Sequence, residues 1–306
     1  MPHDKIISVV DRETGNVIST ITRTAEQSVG WEKHIAAERE REARQYYYQK
    51  QETELGNFIW LLYNTHKALD LGLRPAELTR VIYLATFMNR DNYIVLPNGS
   101  HVKGAGLNKV LNIGCTAANQ FFNSAVGCGI LSEDPEGYLK LSSQVFAKGR
   151  LSEIVGDKNA MRLYINGIRH LYEKSKPREH RFLYYVFQTI PYVNVNLNIL
   201  CRNPYAFTIQ KAVSLGITEY CELIGYDITH TARLRDILLN IEVFGEGVFG
   251  FMKTKEGNYI VINPRVFYAG NQYEQVMGLG EFFRKDGDEN LQRQEVRTKN
   301  NEWQDT

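Results

Sequence analysis

Thr116, Asn119, Gln120 and Asn123 fall at i, i+3, i+4 and i+7 along one apolar-periodic stretch, and none of them is charged. Side chains at that spacing share a helix face. Asn and Gln can each bond an adenine edge at two points in a major groove, and Thr can touch a thymine methyl. The plainer reading is a set of amides facing water. Thr229, His230 and Arg233 form a second set, in which Arg233 can reach a guanine and His230 a phosphate or base edge. Lys109 and Lys140 hold places beside the first set, Lys253 and Lys255 beside the second. Each lysine alone is a solvated surface charge, and only their joint placement points to phosphate contact.

Catalytic chemistry leaves no comparable pattern. No two of the seven histidines stand two residues apart, which excludes a His-x-His metal pair for a nicking tyrosine. There is no GxxxxGK[ST] phosphate loop, and the acidic residues show no two-metal spacing. His230-Thr-Ala-Arg233, with Tyr268 downstream, matches the His-x-x-Arg of tyrosine recombinases over four residues only, inside a segment better explained as helix. Cys115, Cys128, Cys201 and Cys221 form no CxxC pair, so structural zinc is not expected and free thiols fit a reducing cytoplasm. A redox-sensing Cys115 is the minor alternative. No enzyme activity, catalytic residue, cofactor or metal is expected.

The 306 residues leave room for two modest domains, and 43% hydrophobic with 23% charged residues describes a soluble globular chain. No apolar run approaches about 18 residues, and MPHDKIISVV lacks the basic-then-apolar order of a signal peptide, so a cytoplasmic protein without a membrane span is expected. The net charge of +1 hides a division. Residues 57–150 hold nine Lys/Arg against six Asp/Glu, and residues 158–270 hold fourteen against nine. Residues 1–56, with eight against ten, and residues 271–306, with five against eight, are negative. Positive charge on the two candidate domains and negative charge on their flanks is the distribution of a mild nucleic-acid binder.

The elements that must position these residues follow from periodicity. Residues 107–131 read as two short helices joined by a tight turn, with Gly114 at the corner, Thr116 capping the second helix and Gly129 at the exit. A turn at Ser132–Gly137 and an alternating strand from Tyr138 to Leu141 complete a helix-turn-helix with a wing. Upstream, Phe58 to Leu71 reads as an amphipathic helix, and Pro75 opens another that runs to about Phe87. An extended connection covers residues 91–103. Residues 5–22 alternate around Glu13–Asn16 as a β-hairpin, and residues 25–54 continue as a charged helix with tyrosines at 46–48. At the other end, a short helix from Tyr273 to Phe283 leads into an acidic tail expected to be disordered.

The pattern then repeats. Leu69, Pro75, Glu77 and Tyr83 recur 102 residues later as Leu171, Pro177, Glu179 and Tyr185. The strand from Tyr138 to Phe146, followed by Gly149, recurs 121 residues later as Tyr259 to Phe267, followed by Gly270. Insertions at Pro191–Pro204 and in the second wing, Phe244 to Tyr259, account for the drift. In the second copy, helix two covers Ile217–Ile224, Gly225 turns the chain, and helix three runs from about Ile228 to Ile241. A duplicated unit of about a hundred residues results. The expected fold is α+β, mainly α with small β wings: two tandem winged-helix domains at 57–150 and 151–270, preceded by the hairpin and charged helix of 1–56 and followed by the tail of 271–306.

VVDRETGNVI in the hairpin, the winged helix, and the closing YIVINPRVFYAG together resemble plasmid and phage replication proteins of Gram-positive bacteria. The two-copy layout resembles tandem winged-helix initiators that bind repeated origin sites. The likeness covers most of residues 57–270, and its motifs are structural rather than catalytic. It implies that residues 116–126 and 229–240 enter major grooves of double-stranded DNA while the wings touch backbone or minor groove. Residues 25–54 or the tail would then contact host replication or transcription proteins, and a homodimer is a further candidate. Three functions fit: a replication initiator, a transcription regulator of a phage or mobile element, and a winged-helix scaffold for protein contacts.

Overall fold

The computed structural model describes residues 5–10, 17–23, 29–30, 32–39, 41–42, 53, 55–64, 69–149, 159–255, 257–270 and 273–283. The chain forms two compact units, Met1–Gln51 and Glu52–Thr306. In the first, β1 (Lys5–Val10) and β2 (Val17–Arg23) pair antiparallel from Lys5↔Arg23 to Val10↔Val17, as their alternation requires. Residues 29–30, 32–39 and 41–42 are helical. The hairpin turn, the tyrosines at 46–48 and the tail beyond 283 lie outside the described residues. No helix among the described residues is long and apolar enough to cross a membrane.

The second unit mixes helices and strands around a four-stranded sheet. In sheet order its strands are β12 (Phe267–Tyr268), β7 (Asn159–Tyr164), β3 (Phe58–Tyr63) and β6 (Phe146–Ala147). The helix expected over residues 58–71 is therefore wrong: its first six residues are strand, and residues 64 and 69–71 are not helical. FIWLLY is an unbroken apolar run, and periodicity alone does not separate a buried strand from buried helix. Pairing decides it: β3 sits between two partner strands, and Ile59, Leu61, Leu62 and Tyr63 are all buried.

The sheet relates two halves by an approximate half-turn. β3 pairs antiparallel with β7 from Phe58↔Tyr164 to Tyr63↔Asn159, so each strand presents its start to the other's end. Equivalent hydrogen bonds recur on both sides. Asn92, at φ 66°, donates its Nδ2 to the carbonyls of Leu141 and Phe146 at 3.2 and 3.3 Å. Asn198, at φ 52°, donates its Nδ2 to Ile262 and Phe267 at 2.8 and 3.1 Å. Asn tolerates the left-handed conformation, and its amide then ties the corner to the closing strand. Glu77 Oε2 accepts from the Arg74 amide at 3.1 Å, and Glu179 Oε2 from the Lys176 amide at 2.9 Å.

Contacts between the halves are reciprocal too, as in a symmetric interface. Gln188 accepts from the Leu69 amide at 3.0 Å and donates to its carbonyl at 2.7 Å. In return, Arg169 donates to the Thr86 hydroxyl and carbonyl, both at 3.0 Å. One hydrophobic core runs from Ile59 to Phe267 through both halves, so the two expected domains share a single interior.

Helices α1 (Pro75–Ala85), α4 (Ile165–Lys174) and α5 (His180–Phe187) meet near the centre. Tyr83 stacks on Tyr172 with centroids 3.8 Å apart, and Tyr172 on His180 at 4.0 Å. Burial, together with the Arg80 charge, pushes His180 down to about 4. An unfolded His titrates near about 6.5. Between those values the unfolded chain holds a proton that the folded chain does not. This contribution to stability is complete above the unfolded value and is lost as pH falls toward 4. Acid denaturation should therefore steepen in this window, by at most about 1.4 kcal/mol per pH unit for one proton, and His180→Gln should flatten it. Equal slopes for wild type and variant would assign the acid sensitivity to other groups.

Candidate nucleic-acid interface

In the first half, α2 (Leu107–Val110) and α3 (Cys115–Gly127) are joined by a four-residue corner. Asn112, at φ 48°, takes the left-handed turn, whereas Gly114 is extended at φ −62° and ψ 150° and serves as the N-cap. The expected roles of Gly114 at the corner and Thr116 as cap are thus corrected: Thr116 is already the second helical residue. Ala118, Phe121 and Ala125 bury one face of α3. Thr116, Asn119, Gln120 and Asn123 are all exposed on the opposite face. Lys109 is exposed on α2.

The chain then enters the hairpin of β4 (Leu131–Glu133) and β5 (Leu139–Leu141), with Leu131↔Leu141 and Glu133↔Leu139 opposed. The connection at 91–103 closes onto it through a ring of backbone bonds. The Ile94 amide donates to Leu139, Leu139 to Val102 and Val102 to Ile94, at 3.0, 2.9 and 2.9 Å. The buried side chains of these three residues form the inner side. Outside, the Lys140 ammonium lies 4.4 Å from the Tyr93 ring and the Lys103 ammonium 4.7 Å from the Tyr138 ring, with His101 between the two tyrosines. Lys140 is therefore engaged by an aromatic face.

The hairpin tip is anionic. Burial tends to raise the Asp134 carboxyl. The Tyr138 and Glu136 amides and the Tyr93 hydroxyl outweigh that and hold it below the usual carboxylate range. Glu136 is exposed beside it. A tip of this charge repels phosphate, whereas Lys103 and Lys109 are exposed cations off the tip. Sequence reasoning missed Lys103, whose only signal is its pairing opposite Tyr138 across strands far apart in the chain.

In the second half, α6 (Ile217–Leu223) turns at Gly225, φ 67°, into a 3-10 turn at Ile228–His230 and then α7 (Thr231–Leu239). The continuous helix expected from Ile228 to Ile241 is shorter at both ends: Asp227 caps a 3-10 turn at its start, and it ends at Leu239. Its Oδ1 accepts the Thr229 amide at 2.9 Å and hydroxyl at 2.7 Å, and these bonds hold its carboxyl below the usual range. His230 Nε2 lies 3.9 Å from Asp227 Oδ2. Thr229 and His230 are thus tied to the cap, and Arg233 is the exposed cation of α7. Burial raises the Tyr185 hydroxyl above its ordinary range while the nearby Arg181 and Arg233 charges oppose this, which makes Arg181, unmarked in the sequence, a neighbour of this surface.

The long second wing divides into two hairpins. β8 (Glu242–Val243) and β9 (Glu246–Gly247) turn through Phe244 and Gly245, both at positive φ, the geometry of a tight two-residue hairpin. β10 (Phe249–Lys253) and β11 (Asn258–Ile262) form the longer one. Lys253 and Lys255 are exposed at its tip, together as expected. The last described helix, α8 (Tyr273–Phe283), covers this hairpin, with Phe282 and Phe283 against Gly250.

Among the described residues, no group of three or more His, Cys, Asp and Glu is placed to hold a metal ion. Cys115 and Cys128 are exposed thiols at the two ends of α3, while burial pushes the Cys201 thiol up to about 11. Tyr268 is buried in the central sheet, whereas His230 and Arg233 are exposed. Comparison of the chain with family models, with curated proteins and with solved structures finds no match.

Proposed function

We propose that this chain is a sequence-specific double-stranded DNA-binding protein made of two fused winged helices, and that it acts for a plasmid or phage as a replication initiator binding repeated origin sites. One observation carries the reading. α3 turns an uncharged, hydrogen-bonding face to solvent while its other face is held in the core. Such a helix, followed by an antiparallel hairpin, suits a major groove. The second half supplies the charge, from Arg233 on α7 and from Lys253 and Lys255 at the hairpin tip. Base reading and phosphate holding are then divided between the halves. Their half-turn relation supports a two-part site whose spacing is set by the shared sheet.

A transcription regulator would use the same surfaces on promoters. A protein-binding role for the first half has one specific observation in its favour, the anionic tip at Asp134 and Glu136. Selection from a random duplex library separates these. A two-part motif repeated within an origin supports the initiator, and single copies upstream of genes support the regulator. No enrichment at low salt would remove both DNA readings and leave the scaffold.

A further inference from the structure

We propose that the loop from Asn203 to Val213 is a stacking platform for unpaired bases and binds single-stranded DNA. The loop is held firmly from inside. Asn203 donates its Nδ2 to the Lys211 carbonyl at 2.7 Å and accepts the Val213 amide on its Oδ1 at 2.8 Å, which closes the loop at its base. The buried Asn194 donates its Nδ2 to the Ala206 carbonyl at 2.9 Å. The Tyr259 hydroxyl, from β11, is shared between the Ile209 and Ala212 carbonyls at 3.3 and 3.0 Å. Ala206 and Ala212 are buried in one cluster with Tyr259, Val261 and Phe283. With these small residues inward, larger ones face out. Phe207 is 84% exposed, and Tyr205 and Val213 are exposed with it. The Tyr205 hydroxyl donates to Asn159 Oδ1, which fixes the start of the exposed set. A lone exposed apolar residue is ordinary. Three of them on a loop whose backbone is tied down are a preorganised surface.

Charge decides what covers it. Lys211 lies in the loop, and Lys253 and Lys255 lie on the β10–β11 hairpin against which the loop packs. Lys253 opposes Asn258, the neighbour of Tyr259, and a Cβ on Gly257 at the tip would stand 3.8 Å from Ser214 Oγ. All three lysines are exposed, and among the described residues none is in an ion pair. Glu256, also in the tip, lies outside the described residues. Arg202, at the foot of the loop, is by contrast taken up by Glu219 at 2.6 Å. The cores of protein interfaces are depleted in Lys. Exposed rings among free cations suit a single strand instead, whose bases stack on the rings while its phosphates follow the cations. Lys253 and Lys255 are also candidate duplex contacts, so a strand parting from the duplex meets the loop. The choice of DNA over RNA rests on the proposed function, whereas base stacking on the loop does not.

The test measures binding of the full chain to labelled oligo-dT of about 12 nucleotides, which forms no duplex, and to an abasic strand of the same length. Wild type should prefer oligo-dT by about tenfold or more, and Phe207→Ala should lose most of that preference. Phe207→Trp should keep it, with the introduced indole quenched by the stacked bases. Lys211→Ala should lower the salt slope by about 0.7, one lost phosphate contact on a single strand. The proposal is overturned if wild type binds the two strands equally or if Phe207→Ala binds oligo-dT as wild type does. It is overturned as well if Phe207→Ala abolishes self-association of the chain and leaves oligo-dT binding unchanged, which would assign the loop to contact between copies. Oligo-dT holds no duplex, so failure here leaves duplex reading by α3 standing, and failure of that reading leaves this result standing.

Discussion

Gly167→Ala is expected to destabilise the second unit by about 3 kcal/mol or more. Gly167 lies inside α4, where an Ala would ordinarily be better by about 1 kcal/mol. Its place is explained by the approach of another backbone. A Cβ there would stand 1.9 Å from the Arg265 carbonyl oxygen and 2.9 Å from its carbon. That backbone is fixed on both sides: the Arg265 amide donates to Asn263 Oδ1 at 3.0 Å, and the Val266 carbonyl accepts the Tyr164 amide at 3.0 Å. Helix and loop cannot part without breaking the β7–β12 end of the sheet. Gly127, the last residue of α3, provides the opposite case, since a Cβ there meets nothing. Gly127→Ala should be neutral or stabilising by up to about 1 kcal/mol. Denaturant melts of the two variants should therefore move in opposite directions, and similar behaviour would deny the close approach at residue 167.

The second large effect is a division between two double variants. Lys253→Ala with Lys255→Ala should weaken binding to all duplexes alike and lower the slope of log affinity against log salt by about 2, one for each lost phosphate contact. Asn119→Ala with Gln120→Ala should leave that slope unchanged and relax preference at particular bases, by about 1–3 kcal/mol for each lost bidentate pair. Exposed Asn and Gln on α3 have no part in the core, so the fold should survive both changes. If both doubles bind like wild type, the groove assignment is wrong.

What was legible in the sequence depended on how local its cause was. The apolar face of α3 at Ala118, Phe121 and Ala125 is a three- and four-residue pattern, and it is buried as that pattern requires. The β1–β2 hairpin and the helix from Tyr273 were legible for the same reason. β3 was not, because what makes FIWLLY a strand is its pairing with residues about a hundred positions away. The engagement of Lys140 by Tyr93 likewise depends on a cross-strand neighbour 47 residues upstream. Asn112 took the corner in place of Gly114 because the left-handed residue is set by how α2 ends, and Asn tolerates that conformation nearly as Gly does. Pro75 and Glu77, with Pro177 and Glu179, carry the offset of 102 residues on which the expected repeat rests. The antiparallel pairing of β3 with β7 was not legible there, since a sequence offset carries no rotation.

Sequence-specific reading of duplex DNA by α3 shows itself in a single ratio. The affinity of the wild-type chain for its best library-selected duplex should be measured against an unrelated duplex of equal length, at one fixed salt concentration. The expected ratio is about 10³ or more. A ratio near one, with binding that simply fades as salt rises, would contradict it and reduce the exposed face of α3 to amides in water.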